Sequence, residues 1–522
     1  MASNGAGVFY SSAFFQIRDL GAAEIVRRIA LFSAYSFSLF LVFFTIRAIY
    51  NIWFHPLSKY PGPWYAATTN LVYYIADITG YRERWILRQH QKYGEVVRTG
   101  PIRLSYTSAS AWKDIVGHRS AGKLEMLKDP WLYDAGQAFG SDGVSMISNV
   151  DSETHGKMRK IFTSAFSDRA LREQEPLLLK YVDKLIRRIH TDLSGDPNRP
   201  LDLVLLLNCT TFDIMADLTF GESLGMLDNG KYTPWVARIF DTIRYAAIFG
   251  IAGRWVWLRN LVRATLPASM RKSLEEHRGY VNERVERRMD KDTDQPDIWN
   301  LVLRNPENVK LLGRGSMNEH ANLFMVAGTE TTATLLSGLT YFLLKKPSTY
   351  EKIVAEVRSL PEDGLHIDSL RQLPYLQACF EEALRMYPPV PMGMPRVVPP
   401  GGAAISGGFV PEGTRVAVHQ LSCYRNEKNF KNAFEFIPER WLPEYADEYG
   451  SDRKEALQPF SYGPRNCMGK NLAYHEMRLI FAKLLWNFDI ELCPESDNWT
   501  DQRIFILWEK HPLMVKFKPR KV

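Results

Sequence analysis

The sequence predicts a mainly α-helical protein with a small β portion, behind one N-terminal transmembrane helix. Three observations predict it. Residues 170–290, 316–344 and 374–387 read as helices from their apolar spacing and stop signals. Strand-like alternation is confined to short stretches, at Ile102, Leu104 and Tyr106 and at Arg415-Val-Ala-Val418. One uncharged apolar run, residues 29–46, lies near the N-terminus.

The chain has 522 residues, enough by length for about three or four domains. Its motifs instead interlock from residue 155 to residue 469, which predicts one large catalytic unit. Hydrophobic residues make up 46% and charged residues 24%, an ordinary globular balance. The net charge of +7 is mild and unclustered, which excludes a nucleic-acid binder. It fits a basic face for an acidic redox partner or anionic lipid. The five cysteines form no C-x-x-C pair, so neither a disulfide framework nor a zinc site is expected.

Residues 1–28 are read as a short N-terminal segment and 29–47 as the anchor. As a helix, residues 29–46 reach about 27 Å, close to a bilayer core of about 30 Å. Arg18, Arg27 and Arg28 precede the span, and Arg47 and Lys59 follow it. That count alone puts the N-terminal side inside. Residues 48–66 carry Pro56, Pro61 and Pro63 and are expected to be a stiff hinge. Residues 67–522 are the catalytic domain. Within it, 118–150 reads as a long loop, and helices fill 170–290 with polar breaks near 194–200 and 290–295. Ser316-Met-Asn-Glu319 has the pattern of a capping box and is expected to open a helix of about 28 residues. Near its middle stands Ala327-Gly328-Thr329-Glu330-Thr331. The glycine costs about 1 kcal/mol against Ala and leaves space beside the backbone. An acid followed by a hydroxyl can relay protons, although a tolerated glycine and a solvated Glu in a buried helix also fit. Helix 374–387 contains Glu382 and Arg385 on one face, where they can pair, buried or exposed. A small sheet is expected over 397–419.

Phe460-Ser-Tyr-Gly463-Pro-Arg465-Asn-Cys467-Met-Gly469 carries the most information. It places one cysteine on a tight loop feeding a helix, whose N-terminus favours a thiolate. A thiolate aimed into a cavity suits the axial position of a haem iron. Taken alone, a structural cysteine in a glycine-rich turn also fits.

These ten residues resemble the haem-binding signature of the cytochrome P-450 superfamily, F-x-x-G-x-R-x-C-x-G, at every fixed position. Three further elements match in order: Ala327-Gly328-Thr329-Glu330-Thr331, Glu382-Ala-Leu-Arg385 and Pro438-Glu439-Arg440-Trp441. The resemblance, closest to fungal microsomal members, implies the cytochrome P-450 fold and haem b with Cys467 as axial ligand. It implies proton delivery by Glu330 and Thr331, haem-side positions at Ala327 and Gly328 that make room for dioxygen and substrate, and haem-binding positions at Phe460, Gly463 and Gly469. Glu382, Arg385 and Arg440 become a buried network supporting the loop. Arg465, Arg396 and Arg159 become contacts of the haem propionates. His155 stands where the family has Trp and can still donate a hydrogen bond; an ordinary surface histidine is its alternative. Loop 118–150 becomes a substrate-facing cover. No dinucleotide-binding motif is present, so electrons come from another protein, NADPH-cytochrome P-450 reductase, with cytochrome b5 as a second carrier. The implied activity is insertion of one oxygen atom from O2 into a lipophilic small molecule, in fungal secondary metabolism of terpenoids, polyketides or alkaloids. The implied location is the endoplasmic-reticulum membrane with the domain in the cytosol, against the count of flanking basic residues. A haem-thiolate isomerase or dehydratase working without reductase, and a non-catalytic haem-binding membrane protein, are the rival readings. Val390, Met392, Met394, Ile504 and Phe505 are expected near the pocket.

Overall fold

The computed structural model describes residues 22–119, 124–133, 143–239, 250–253, 255–291 and 293–520. Helix α1 (Ala22–Ile49) extends the expected anchor at both ends and continues as a π-turn over Tyr50–Phe54. Among the described residues two helices are long and apolar enough to cross a membrane. The N-terminal one is bare along its apolar length, whereas the other, Leu203–Phe220, is buried in the core. The hinge is docked rather than free. Leu57 is buried, Arg98 N–H donates to the Pro61 carbonyl at 2.7 Å, and Arg98 Nη1 donates to the Asn51 carbonyl at 2.7 Å.

The catalytic unit is built from helices α2 (Ser152–Thr163), α3 (Asp168–Leu193), α4 (Leu203–Phe220), α5 (Pro306–Leu344), α6 (Pro374–Met386) and α7 (Lys470–Asn487). Asp151, Ser167 and Asp202 cap α2, α3 and α4 by accepting the N–H groups of Thr154, Ala170 and Val204. Helix α4 is buried along nearly its whole length, Asn208, Asp213 and Asp217 included, and packs against α5. The Asn208 amide donates to the Tyr232 hydroxyl.

Helix α5 departs from the expected start. It begins at Pro306 with Asn305 as cap, and Ser316 lies inside it. The break is at Gly313, whose φ of 66° only glycine adopts without cost. The chain re-enters a helix just past Gly313, so the expected start at Ser316 falls three residues late.

The strands are few. β1 (Val96–Gly100), β2 (Arg103–Tyr106), β3 (Leu127–Lys128), β5 (Arg396–Val397) and β8 (Arg415–Val418) form one sheet in the order β1-β2-β8-β5-β3. β4 (Leu201–Asp202), β9 (Phe488–Leu492) and β10 (Met514–Pro519) form a second, and β6 (Ala403–Ile405) pairs with β7 (Gly408–Val410). The 118–150 stretch is not all loop. β3 within it pairs antiparallel with β5, Lys128 opposite Arg396. Residues 120–123 and 134–142 of that expectation lie outside the described residues.

A fully buried charge network joins α6 to the chain leading into the cysteine loop. Arg385 donates to Glu382 through Nε at 2.8 Å and Nη2 at 2.7 Å. Arg440 Nε donates to Glu382 Oε1 at 3.2 Å and its Nη1 to Asp452 at 2.5 Å. Trp441 Nε1 and the Ile437 N–H also donate to Glu382. Burial alone would raise the Glu382 pKa, but Arg385 and Arg440 outweigh it and hold the carboxyl below its ordinary value. Arg385 also grips the carbonyls of Tyr424, Ala433 and Glu435. The Tyr424 hydroxyl accepts the N–H of Gln458, two residues before Phe460. Removing the carboxylate leaves the Arg385 guanidinium buried without a counter-charge and Arg440 with Asp452 alone. Glu382→Ala is expected to cost about 3–5 kcal/mol, read as loss of folded protein in thermal unfolding; an unchanged transition would show the network to be dispensable.

Candidate active site

Cys467 sits on a loop built to hold it. Its N–H donates to the Phe460 carbonyl at 2.8 Å, closing the loop. Gly463 has φ +78°, and a Cβ there would lie 2.1 Å from the Val116 carbonyl oxygen. Both conditions demand glycine. Gly469 caps α7, and its N–H points at the Cys467 sulfur. The thiol surface is open, but onto a cavity rather than bulk solvent. In the structure without a ligand, burial raises the thiol pKa; the Gly469 N–H, Arg159 and Lys470 act the other way. The helix start therefore tempers, and does not outweigh, the cost of a bare thiolate here.

The cavity is mostly apolar. Phe166, Met215, Phe324, Leu335, Leu384 and Val390 line it, and Cys467, Phe460, Ala327, Gly328 and Thr331 border it as well. Of the expected pocket residues, Val390 and Met394 reach it. Met392 and Phe505 line a separate, smaller pocket, and Ile504 is core.

Ala327 faces the cavity. A Cβ on Gly328 would meet the Met215 sulfur at 2.6 Å, so that glycine admits α4 as well as bordering the cavity. The Thr331 hydroxyl donates back to the Ala327 carbonyl at 2.6 Å. Glu330 is not on the cavity wall. Its Oε2 accepts from Lys510 at 2.7 Å, and Lys510 also donates to Thr334. The structure thus separates the two residues expected to act together.

Basic groups gather at the cavity from four chain regions. Arg465 donates to the Asn149 and Val150 carbonyls, both at 2.8 Å, and pairs with Glu125. Arg159 clasps Asn466 with two bonds of 2.6 Å. His155 is buried and held neutral, its pKa pushed down to about 4 by burial and then by Arg465, Lys128, Arg159 and Arg396. Arg396 is buried, and its Nε and Nη1 have no partner. Lys128 was not foreseen. It donates to the Met146 and Ile147 carbonyls, and its pKa is pushed down to about 7 by burial and by Arg465 and Arg396. Its only sequence signal would have been the β3 pairing that sets it opposite Arg396. Orphaned Arg396 nitrogens among like charges are the signature of a site for an anion.

Among the described residues no cluster of His, Cys, Asp and Glu could hold a metal ion by itself. The donor set fits instead a flat apolar group that carries carboxylates and takes one sulfur ligand. Gly463→Ala is expected to displace the loop and abolish binding of such a group, measured as bound pigment per chain; full occupancy would show that the loop tolerates the change.

Residues 76–517 match the family model described as Cytochrome P450. The chain is 48% identical over 483 residues to cytochrome P450 monooxygenase FUM2 of Gibberella moniliformis, covering 91% of this chain and 100% of that protein. It is 44% identical over 483 residues to cytochrome P450 monooxygenase efuB of Hormonema carpetanum, covering 92% and 95%. It is also 44% identical over 475 residues to cytochrome P450 monooxygenase AMT3 of Alternaria alternata, covering 90% and 95%.

Proposed function

The chain belongs to the cytochrome P450 family and is a monooxygenase whose cofactor is haem b held by a cysteine thiolate, and on that premise we propose that Cys467 is the thiolate and that the substrate is a lipophilic small molecule. One observation carries the reading: Cys467 opens onto an apolar cavity that Thr331 and Arg396 also border.

In this reading Arg396, Arg465, Arg159 and His155 hold the propionates, with Lys128 added to them. Phe460, Gly463 and Gly469 fix the loop that presents Cys467. The bound haem supplies the oxygen-activating and electron-transfer chemistry. The protein's part is to orient and to move protons. Thr331 exposes a hydroxyl to the cavity, and its bond to the Ala327 carbonyl leaves its oxygen free to accept from a ligand. Glu330 reaches the cavity only by leaving Lys510, so its proton transfer is gated by that pair. The apolar lining excludes water and selects apolar substrates.

Residues 1–28 form the N-terminal segment, 29–47 the anchor, 48–66 the hinge and 67–522 the haem-thiolate domain, with the helix itself running beyond the anchor bounds. The bare apolar face of α1 supports attachment to a membrane, in this reading the endoplasmic reticulum with the domain in the cytosol. NADPH-cytochrome P-450 reductase, with cytochrome b5 as a second carrier, is the electron source. The likeness to fungal monooxygenases supports a place in secondary metabolism, on a terpenoid, polyketide or alkaloid intermediate. Cys467→Ala is expected to abolish the ferrous-CO Soret band of thiolate ligation. An unchanged band in the folded variant would remove Cys467 from the metal.

A further inference from the structure

Among the described residues the cavity wall carries one carboxyl group, that of Glu476 on α7. It is 1% exposed. The Thr332 hydroxyl donates to its Oε2 at 3.1 Å, and its Oε1 is buried without a partner. This bond crosses between α5 and α7. Other hydroxyls of α5, on Thr329, Thr331, Ser337 and Thr340, turn back onto the carbonyl four residues earlier. Thr332, next to Thr331, reaches the neighbouring helix instead.

Among the described residues no cation pairs with Glu476. On and around α7, Lys483 pairs with Asp183, Arg371 meets Asp168 and His475, Arg358 pairs with Asp489, and Arg478 donates to Gln377. On α5, Glu330 is held by Lys510. On the cavity wall, Lys128, His155, Arg159, Arg396 and Arg465 form their own cluster, and none of them pairs with Glu476 among the described contacts. Cys467 and Tyr133 are the remaining ionisable groups on the wall. An ionised Glu476 would be a buried charge without compensation, sharing a cavity with a thiolate. Burial pushes its pKa up to about 8, with the Thr332 bond acting the other way.

We propose that Glu476 is a positioning residue for the monooxygenase reaction: held as a neutral acid, it ties the turn carrying Thr331 to the helix that follows Cys467 and keeps a second negative charge off the cavity wall. The proposal rests on Cys467 as the haem ligand, which the loss of the thiolate band in Cys467→Ala tests separately.

The test is the midpoint reduction potential of the haem-loaded protein between pH 6 and pH 9.5, for wild type, Glu476→Gln and Thr332→Val. Below the pKa the acid is neutral in both oxidation states, so the wild-type potential stays flat. Above about 8 reduction takes up a proton at Glu476, and the potential falls as pH rises. Glu476→Gln keeps the shape and is neutral throughout, so this fall disappears. Thr332→Val removes the bond that eases ionisation, so the break moves to higher pH. The ferrous-CO band shows that each variant binds haem through thiolate. A wild-type potential flat across the whole range overturns the proposal. So does the same fall in wild type and Glu476→Gln, or a break that stays in place in Thr332→Val. Should Glu476→Gln fail to take up haem, the wild-type and Thr332→Val profiles decide by themselves.

Discussion

The structure depends on the geometry of one short loop. Cys467 can face the cavity because its own N–H is fixed to the Phe460 carbonyl and because Gly463 passes against the Val116 carbonyl in a left-handed conformation. A side chain at 463 would meet backbone, which cannot give way as a flexible side chain can. Everything else places something relative to that sulfur: the long helix with Thr331, the basic cluster, and the apolar lining.

Charge is distributed by the same logic. The carboxylate of Glu382 is buried but surrounded by Arg385, Arg440 and Trp441, so it stays ionised, and it also holds the Ile437 N–H. The cations at the cavity are less fully matched. Arg465 and Lys128 lean on carbonyls, and Arg396 has two bare nitrogens. The first arrangement completes itself within the protein, whereas the second calls for an anionic ligand. Glu330, held by Lys510, and Glu476, with no cation at all, mark two further solutions to the cost of a buried carboxyl.

Much of this was legible in the sequence because it rests on local rules. Glycine at 463, the Glu382–Arg385 spacing and the apolar run before Arg47 each state a backbone or solvation requirement directly. The helix break was placed three residues late because Ser316 and Glu319 match a local capping pattern, whereas the turn itself is made by Gly313 in a left-handed conformation. Lys128 and Lys510 were missed for a different reason. Each meets its partners only through long-range placement, Lys128 by strand pairing with Arg396 and Lys510 by return of the C-terminal segment onto α5. For the same reason the adjacent Glu330 and Thr331 point to different surroundings: successive residues on a helix lie on different faces, and only Thr331 borders the cavity.

The central claim is that the sulfur of Cys467 bonds the cofactor's iron in the cavity that Thr331 borders. A crystal structure of the haem-loaded protein tests it most directly. The account predicts continuous density from Cys467 Sγ to the iron, with the ring's carboxylates against Arg396. Density joining the iron to any other side chain, or a ring seated away from this loop, would contradict it.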